Sequence, residues 1–524
     1  MSQSPPASSS PLEWETDDAF DADEPSPEYS PFRVAVALLL ALALLGGSGW
    51  WLKGRVIPSA SASSLSGGTW FAPYVDTTLT PTYQFQDPSQ NPARQTVLGF
   101  VVAGRGCQPS WGSAYTLAQA DSSLNLSSRI AQYRSEGGDV IISFGGRDHE
   151  DLAQACPTVG SLTAAYEQVV SRYRPSLIDF DVEGAALNDP ASMRRRAAAV
   201  AALVRARGGS RHLGVWITVP AGPGGLPHAA IEVAQTLLAD KVVPAGINVM
   251  TMDFGQTEPS MARAVLSVAT AAQAQVNELF QQYGVRGGLG SRFGVTVMIG
   301  ENDTPGENLS VAGATQVAGA ASARRWGRVS MWSLNRDAQC GSAYAEIGVL
   351  SNTCSGALES TLGFSRLFAT ALGARDGVGA PATTAGVALA PSNAPGPYPQ
   401  WSPSVPYPPA YKVVRSGEIY QAKWFSQGQD PATVVQYPSE TPWQLIGPVL
   451  AGSHPPTTTT LPSGTYPAWS PRTSYVQGRR VLFNGLPYQA KWYNVAQSPA
   501  ASATDPTGSP WTALFTWPGE PPLG

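Results

Sequence analysis

The chain has 524 residues, 33 Lys and Arg against 38 Asp and Glu, a net charge of −5, four cysteines and four histidines. That length holds one large domain with smaller ones beside it rather than a single small fold. Eight of the acids fall in the first 32 residues, which contain no Lys or Arg. The remainder is close to neutral, with 30 acids against 33 bases, so neither nucleic acid nor an anionic surface is expected as a partner.

Residues 1–32 have the composition of an acidic disordered tail. Between Arg33 and Lys53 lies VAVALLLALALLGGSGWWL, 19 residues without a charge. This run is long enough to cross a bilayer, and Trp50 and Trp51 suit its interface. A cleaved signal peptide has a short basic leader, whereas this run follows a long acidic one. Residues 33–52 are therefore read as a transmembrane signal anchor. They would hold a single-pass protein at the cell membrane with the bulk of the chain outside; secretion after cleavage is the alternative. A buried core helix is the competing reading of the same run. The Ser-, Ala- and Gly-rich residues 53–67 read as a linker.

Residues 68–372 form the largest segment between linkers. Short β-rich runs recur through it: TWFAPYVD from 69, TVLGFVV from 96, DVIISFGG from 139, SLIDFDVE from 176, GVWITVP from 214, INVMTMDF from 247, FGVTVMIG from 293 and RVSMWSL from 328. Between them lie segments such as LTAAYEQVVSRY, whose apolar spacing is helical. Eight such alternations predict an α/β protein with a (β/α)8 TIM barrel. A doubly wound open sheet is the alternative, but no Gly-rich phosphate loop follows any of these strands.

The fourth run places Asp179, Asp181 and Glu183 two residues apart among Leu177, Ile178, Phe180 and Val182. Side chains alternate faces along a strand, so the acids share one face and the apolar residues pack on the other. Crowded, partly desolvated carboxylates push their pKa values apart, which keeps one protonated near neutral pH as a general acid requires. A solvated strand face or a calcium site would use the same pattern. In a barrel, the strand ends converge on one mouth, bringing Ser143 with Gly145 and Gly146, Asp253 and Trp332 toward Glu183.

Other polar residues point less clearly. Arg194, Arg195 and Arg196 open an Ala- and Val-rich helix and read as its solvated face, while Arg336 and Asp337 either line the cleft or pair with each other. The histidines at 149, 212, 228 and 454 lack ligand spacing, so no metal or cofactor is expected. Cys107 with Cys156 and Cys340 with Cys354 form two local pairs without a CxxC motif, which reads as two disulfides formed outside the cytosol.

After a linker at 373–396, residues 397–450 and 465–518 are a repeat separated by a second linker at 451–464, which contains HPPTTTTLPSG. A shift of 68 residues superimposes YPQWSPSVPY on YPAWSPRTSY and YQAKWF on YQAKWY, and sets Trp401, Trp424 and Trp443 on Trp469, Trp492 and Trp511. Units this small have little core, so some of these rings must be exposed. In the pairs Trp424 with Phe425 and Trp492 with Tyr493, one ring of each is read as a platform for the flat face of a sugar and the other as core.

On these motifs, residues 68–372 resemble glycoside hydrolase family 18, the chitinases and related endo-β-N-acetylglucosaminidases. DFDVE matches the family's D-x-D-x-E on strand four, SFGG its S-x-G-G on strand three, MTMD its strand-six aspartate, and MWSL its strand-eight tryptophan. The repeat resembles carbohydrate-binding modules of family 5/12, the type 3 chitin-binding domain, at AKWF and AKWY. The resemblance implies a monomeric enzyme acting on chitin or a related N-acetylglucosamine polysaccharide by substrate-assisted, retaining hydrolysis through an oxazolinium ion. Glu183 would be the proton donor and Asp181 the group that orients the acetamido. Asp179 would share a proton with Asp181 and be coupled to Ser143, Trp332 would be the floor under the sugar, and Asp253 its hydrogen-bond partner. A non-hydrolytic chitin-binding lectin, or a glycosidase of peptidoglycan or N-glycan cores, are the alternatives. The chain departs from the family pattern at Ser176, where an Asp is common, and at Met252 and Phe254, where many relatives place a Tyr on strand six. Tyr74 is the candidate to compensate.

Overall fold

The computed structural model describes residues 68–79, 81–208, 213–255, 260–341, 350–373, 396–435, 438–453, 460–503 and 508–514. Each β-rich run of the large segment is a strand. β1 is interrupted, in two short pieces at Trp70–Phe71 and Tyr74–Asp76; it is followed by β2 (Gln95–Ala103), β3 (Asp139–Gly145), β4 (Leu177–Asp181), β5 (Gly214–Pro220), β6 (Gly246–Met250), β7 (Phe293–Met298) and β8 (Arg328–Trp332). Neighbours within this ring of eight are parallel, and a short antiparallel hairpin, Pro109–Trp111 with Tyr115–Thr116, extends from β2. The first piece of β1 pairs with β8, Trp70 opposite Arg328, and the second with β2, Tyr74 opposite Val97, so the interrupted strand closes the ring.

Among the described residues, seven helices of ten residues or more cover the outside: α1 (Leu126–Ser135), α2 (Val159–Tyr173), α3 (Pro190–Ala206), α4 (His228–Ala239), α5 (Met261–Gln282), α6 (Val311–Arg324) and α7 (Gly363–Leu372), one after each strand from β2 to β8. Their ends follow local chemistry. Thr158 and Ser161 form a capping box at the start of α2, and Asp189 accepts the Ala191 and Ser192 N–H groups at the start of α3, where Pro190 needs no donor of its own. No helix is found among the described residues between Asp76 and Gln95.

The period-two pattern of the strands divides the core in two. Ile178, Phe180 and Val182 join the large apolar layer between sheet and helices, while Leu177 packs with Trp70, Tyr74 and Trp216 inside the ring. Two polar expectations are corrected. Arg196 is buried and pairs with Asp151 at 2.9 Å, so the face of α3 that carries it turns inward. Arg336 and Asp337 serve separate loops: Arg336 donates to the Glu301 carbonyl at 2.5 Å, and Asp337 accepts the Phe364 and Ser365 N–H groups at the start of α7.

The disulfides Cys107–Cys156 and Cys340–Cys354 are both present. The tail at 1–32, the run at 33–52, the linker at 53–67 and most of the linker at 373–396 lie outside the described residues. The membrane placement is corrected: no helix among the described residues is long and apolar enough to cross a membrane.

Each repeat holds a three-stranded antiparallel sheet: β9 (Lys412–Arg415), β10 (Glu418–Ala422) and β11 (Trp443–Pro448) in the first, β12 (Arg480–Phe483), β13 (Leu486–Ala490) and β14 (Trp511–Ala513) in the second. Their cores match. Trp443 and Trp511 are buried and donate Nε1–H to the carbonyls of Gln429 and Gln497 at 2.8 and 2.7 Å, and each stands edge-on to a tyrosine, Tyr407 or Tyr475. The reading of one core ring in each aromatic pair is corrected. Trp424, Phe425, Trp492 and Tyr493 are all exposed, at 44%, 51%, 44% and 64%, because Trp443 and Trp511 already fill the small cores.

Candidate active site

The inner face of β4 presents Asp179 and Asp181. Glu183 lies two residues past the end of the strand in extended backbone, which keeps it on the same side, and it precedes the short helix Gly184–Leu187. Asp179 is fully buried and accepts from four donors. Ser143 Oγ at 2.8 Å and the Tyr74 hydroxyl at 3.0 Å reach Oδ2, while Thr218 Oγ1 at 2.7 Å and Arg328 Nη1 at 3.1 Å reach Oδ1. Neither side chain of the Arg328–Asp179 pair has any solvent exposure. The guanidinium also sits 5.4 Å from the ring centroids of Tyr74 and Trp216, which gives the cation a second set of partners.

Asp181 is buried too, and its Oδ1 has no hydrogen-bond partner. Burial, then the charges of Glu183 and Asp179, hold its carboxyl well above the ordinary range, with Arg328 opposing. Burial pushes Glu183 up to about 7; Arg147 pulls it down, and Asp148, Asp253 and Asp303 push it further up. Ionising both members of this neighbouring pair is costly, so a proton stays on the pair near neutral pH.

Glu183 and Asp181 open onto a cavity of about 440 Å³ at the C-terminal mouth of the ring, lined also by Tyr74, Asp253, Met252 and Trp332. Trp332, half-buried at the end of β8, stacks against Phe100 with centroids 5.6 Å apart. Asp253 adopts a left-handed conformation (φ 53°) and accepts the Thr304 N–H at 2.9 Å; burial raises its pKa. The ring therefore brings together Ser143, Asp179, Asp181, Glu183, Asp253, Trp332 and Tyr74.

Tyr74 differs from expectation in orientation. Its hydroxyl proton is directed at Asp179, so it supports that carboxylate and is not a free donor to the cavity. On the β6 side Met250 and Met252 line the cavity, and Phe254 packs on the outer core. Ser176 bonds Asp139 Oδ2 at 3.0 Å, a structural contact at the lower end of the barrel.

Four site residues escaped the sequence reading. Arg328 and Thr218 surround Asp179, and Arg147 pairs with Asp303 across the cavity. Arg147 follows β3 and Asp303 follows β7, four strands apart in an eight-strand ring, so the pair spans opposite sides of the mouth. Arg328 had a signal: on β8 it alternates with Ser330 and Trp332, so an inward Trp332 requires an inward arginine. Arg147 and Asp303 lie on loops, where periodicity says nothing. Among the described residues no cluster of three or more His, Cys, Asp and Glu could hold a metal ion.

Fold and site together define a closed eight-stranded parallel barrel of the TIM type, with a buried carboxylate cluster at its C-terminal mouth. No family model matches the chain. A probable bifunctional chitinase/lysozyme of Escherichia coli K12 is 32% identical over 279 residues, 51% of this chain and 31% of that protein. Endochitinase 11 of Metarhizium anisopliae is 30% identical over 278 residues, 51% of this chain and 52% of that protein. The chain thus spans about half or less of the length of these curated relatives. Among solved structures, the catalytic domain of a hyperthermophilic chitinase from Pyrococcus furiosus matches with a TM-score of 0.51 and 24% identity, covering 58% of this chain and 96% of that one. That likeness establishes the TIM-barrel fold.

Proposed function

We propose that this chain is a glycoside hydrolase, a chitinase that cleaves β-1,4-linked N-acetylglucosamine polymers with retention of configuration and the help of the substrate's own acetamido group. The reading is carried by one observation: Glu183, with its pKa pushed up to about 7, faces the cavity beside the unpartnered carboxylate oxygen of Asp181. Glu183 gives its proton to the glycosidic oxygen. The acetamido carbonyl closes on the anomeric carbon as the leaving sugar departs, and Asp181 orients the acetamido group and balances the oxazolinium charge. Water, deprotonated by Glu183, then opens the ring and restores the donor. Asp179, held by its four donors, fixes the charge beneath Asp181. Trp332 supplies the apolar floor, and Asp253 holds a sugar hydroxyl.

The chitinase names of the aligned relatives support this substrate class. The exposed rings of Trp424, Phe425, Trp492 and Tyr493 supply the sugar-binding faces of two chitin-binding modules. One observation favours a second reading, a chitin-binding protein that does not hydrolyse: the strand-six side of the cavity offers methionines where a hydroxyl donor would serve the acetamido carbonyl. Losing one such donor costs about 10² to 10³ in rate. Release of N-acetylglucosamine oligomers from colloidal chitin, lost in Glu183→Gln with adsorption retained, establishes hydrolysis. Adsorption without release by the wild type establishes the binding protein, and release from peptidoglycan alone moves the substrate class.

A further inference from the structure

We infer that the first repeat is a fixed part of the barrel wall, seated where the ring lacks a helix, a seat that the sequence of the second repeat does not reproduce. Each strand from β2 to β8 is followed by a covering helix; after β1 the described residues form turns instead, with Phe85 buried beneath them. A bare sheet face there would leave apolar surface open between α7 and α1. The first repeat lies against this place. Gln86 Nε2 donates to the Leu445 carbonyl at 3.2 Å, and Gln444 Nε2 returns a bond to Asp87 Oδ2 at 3.1 Å.

The same surface continues onto α1. The Tyr398 hydroxyl donates to Asn125 Oδ1 at 3.0 Å, just before the helix, and Lys412 Nζ reaches the Ser123 carbonyl at 3.3 Å. β11 runs so close to α1 that a Cβ on Gly447 would stand 2.3 Å from the Ser128 carbonyl oxygen, so backbone meets backbone. Gln86 links the two bodies. Its Oε1 accepts from Arg129 Nε at 2.9 Å, and that guanidinium lies buried 4.5 Å over the Phe85 ring.

The second repeat differs in sequence at these positions. At the positions 68 residues on, the sequence has Phe515 for Gly447 and Thr512 for Gln444. Arg480, which corresponds to Lys412, donates to Tyr466, the counterpart of Tyr398, inside its own repeat. The first copy thereby completes the catalytic body and presents its rings from a fixed place.

Hydrogen exchange on the full chain tests this. Trp443→Ala, which empties the core of the first repeat, is expected to speed exchange about tenfold in residues 83–93 and 126–135, while Trp511→Ala leaves both segments unchanged. Gly447→Phe attacks the contact directly and is expected to expose the same two segments. Unchanged protection of both in Trp443→Ala and in Gly447→Phe overturns the inference, as does an equal loss in Trp511→Ala.

Discussion

Arg328 and Asp179 form an ion pair inside the barrel, 3.1 Å from Nη1 to Oδ1, with no exposure on either side chain. Each charge is tolerated there because the other is present. Breaking such a pair from one side leaves an uncompensated buried charge, at about 3–5 kcal/mol. Arg328→Met is expected to lose that much in urea unfolding, and Arg328→Met with Asp179→Leu to recover a large part of it. A single variant as stable as the wild type would remove the pair from the account of the fold.

With Glu183 as the proposed proton donor, the alkaline limb of activity is expected to follow its pKa. A general acid works only while protonated, so kcat/KM is expected to fall as pH rises through about 7. Arg147 pulls this pKa down, so Arg147→Met moves the limb to higher pH. The shift shrinks in high salt because Arg147 is largely exposed. A limb that moves to lower pH in the variant contradicts the assignment.

The same group makes stability depend on pH. In the unfolded chain Glu183 ionises near 4.5, while the fold keeps its proton until about 7. The folded state therefore binds more protons in this window, and its contribution to stability is lost as pH rises from 4.5 through 7. Glu183→Gln removes the penalty. The variant is expected to match the wild type at pH 4 and to exceed it at pH 8 by on the order of 2 kcal/mol, measured by denaturant titration.

If the repeats bind chitin as proposed, binding and folding separate at neighbouring tryptophans. Trp424→Ala and Trp492→Ala remove exposed rings, so adsorption to insoluble chitin is expected to weaken by roughly 1 kcal/mol each while the melting profile stays unchanged. Trp443→Ala and Trp511→Ala empty buried sites and are expected to cost about 3–5 kcal/mol in their own repeats. Equal adsorption by the exposed-ring variants would remove these faces as binding platforms.

Much of the architecture was legible because it rests on local periodicity. Eight β-rich runs separated by helical spacing gave eight strands, and the alternation in LIDFDVE gave the inner acids and the outer Ile178 and Phe180. The 68-residue repeat was legible because identical tryptophans serve identical cores. Arg196 misled because charge alone does not say which face of a helix turns inward; its partner Asp151 lies 45 residues away in the chain. Trp424 and Phe425 misled because the size of the core, not ring chemistry, decides how many rings it can hold.

By itself the sequence determined which residues alternate along each strand, and therefore that Asp179, Asp181 and Glu183 share one side. Only the tertiary structure decided what meets them: Arg328 and Thr218 beneath Asp179, the Arg147–Asp303 pair across the mouth, and a repeat seated where a helix is absent. Periodicity is a property of one segment. Which charges become neighbours depends on closing a ring whose opposite strands are far apart in the chain.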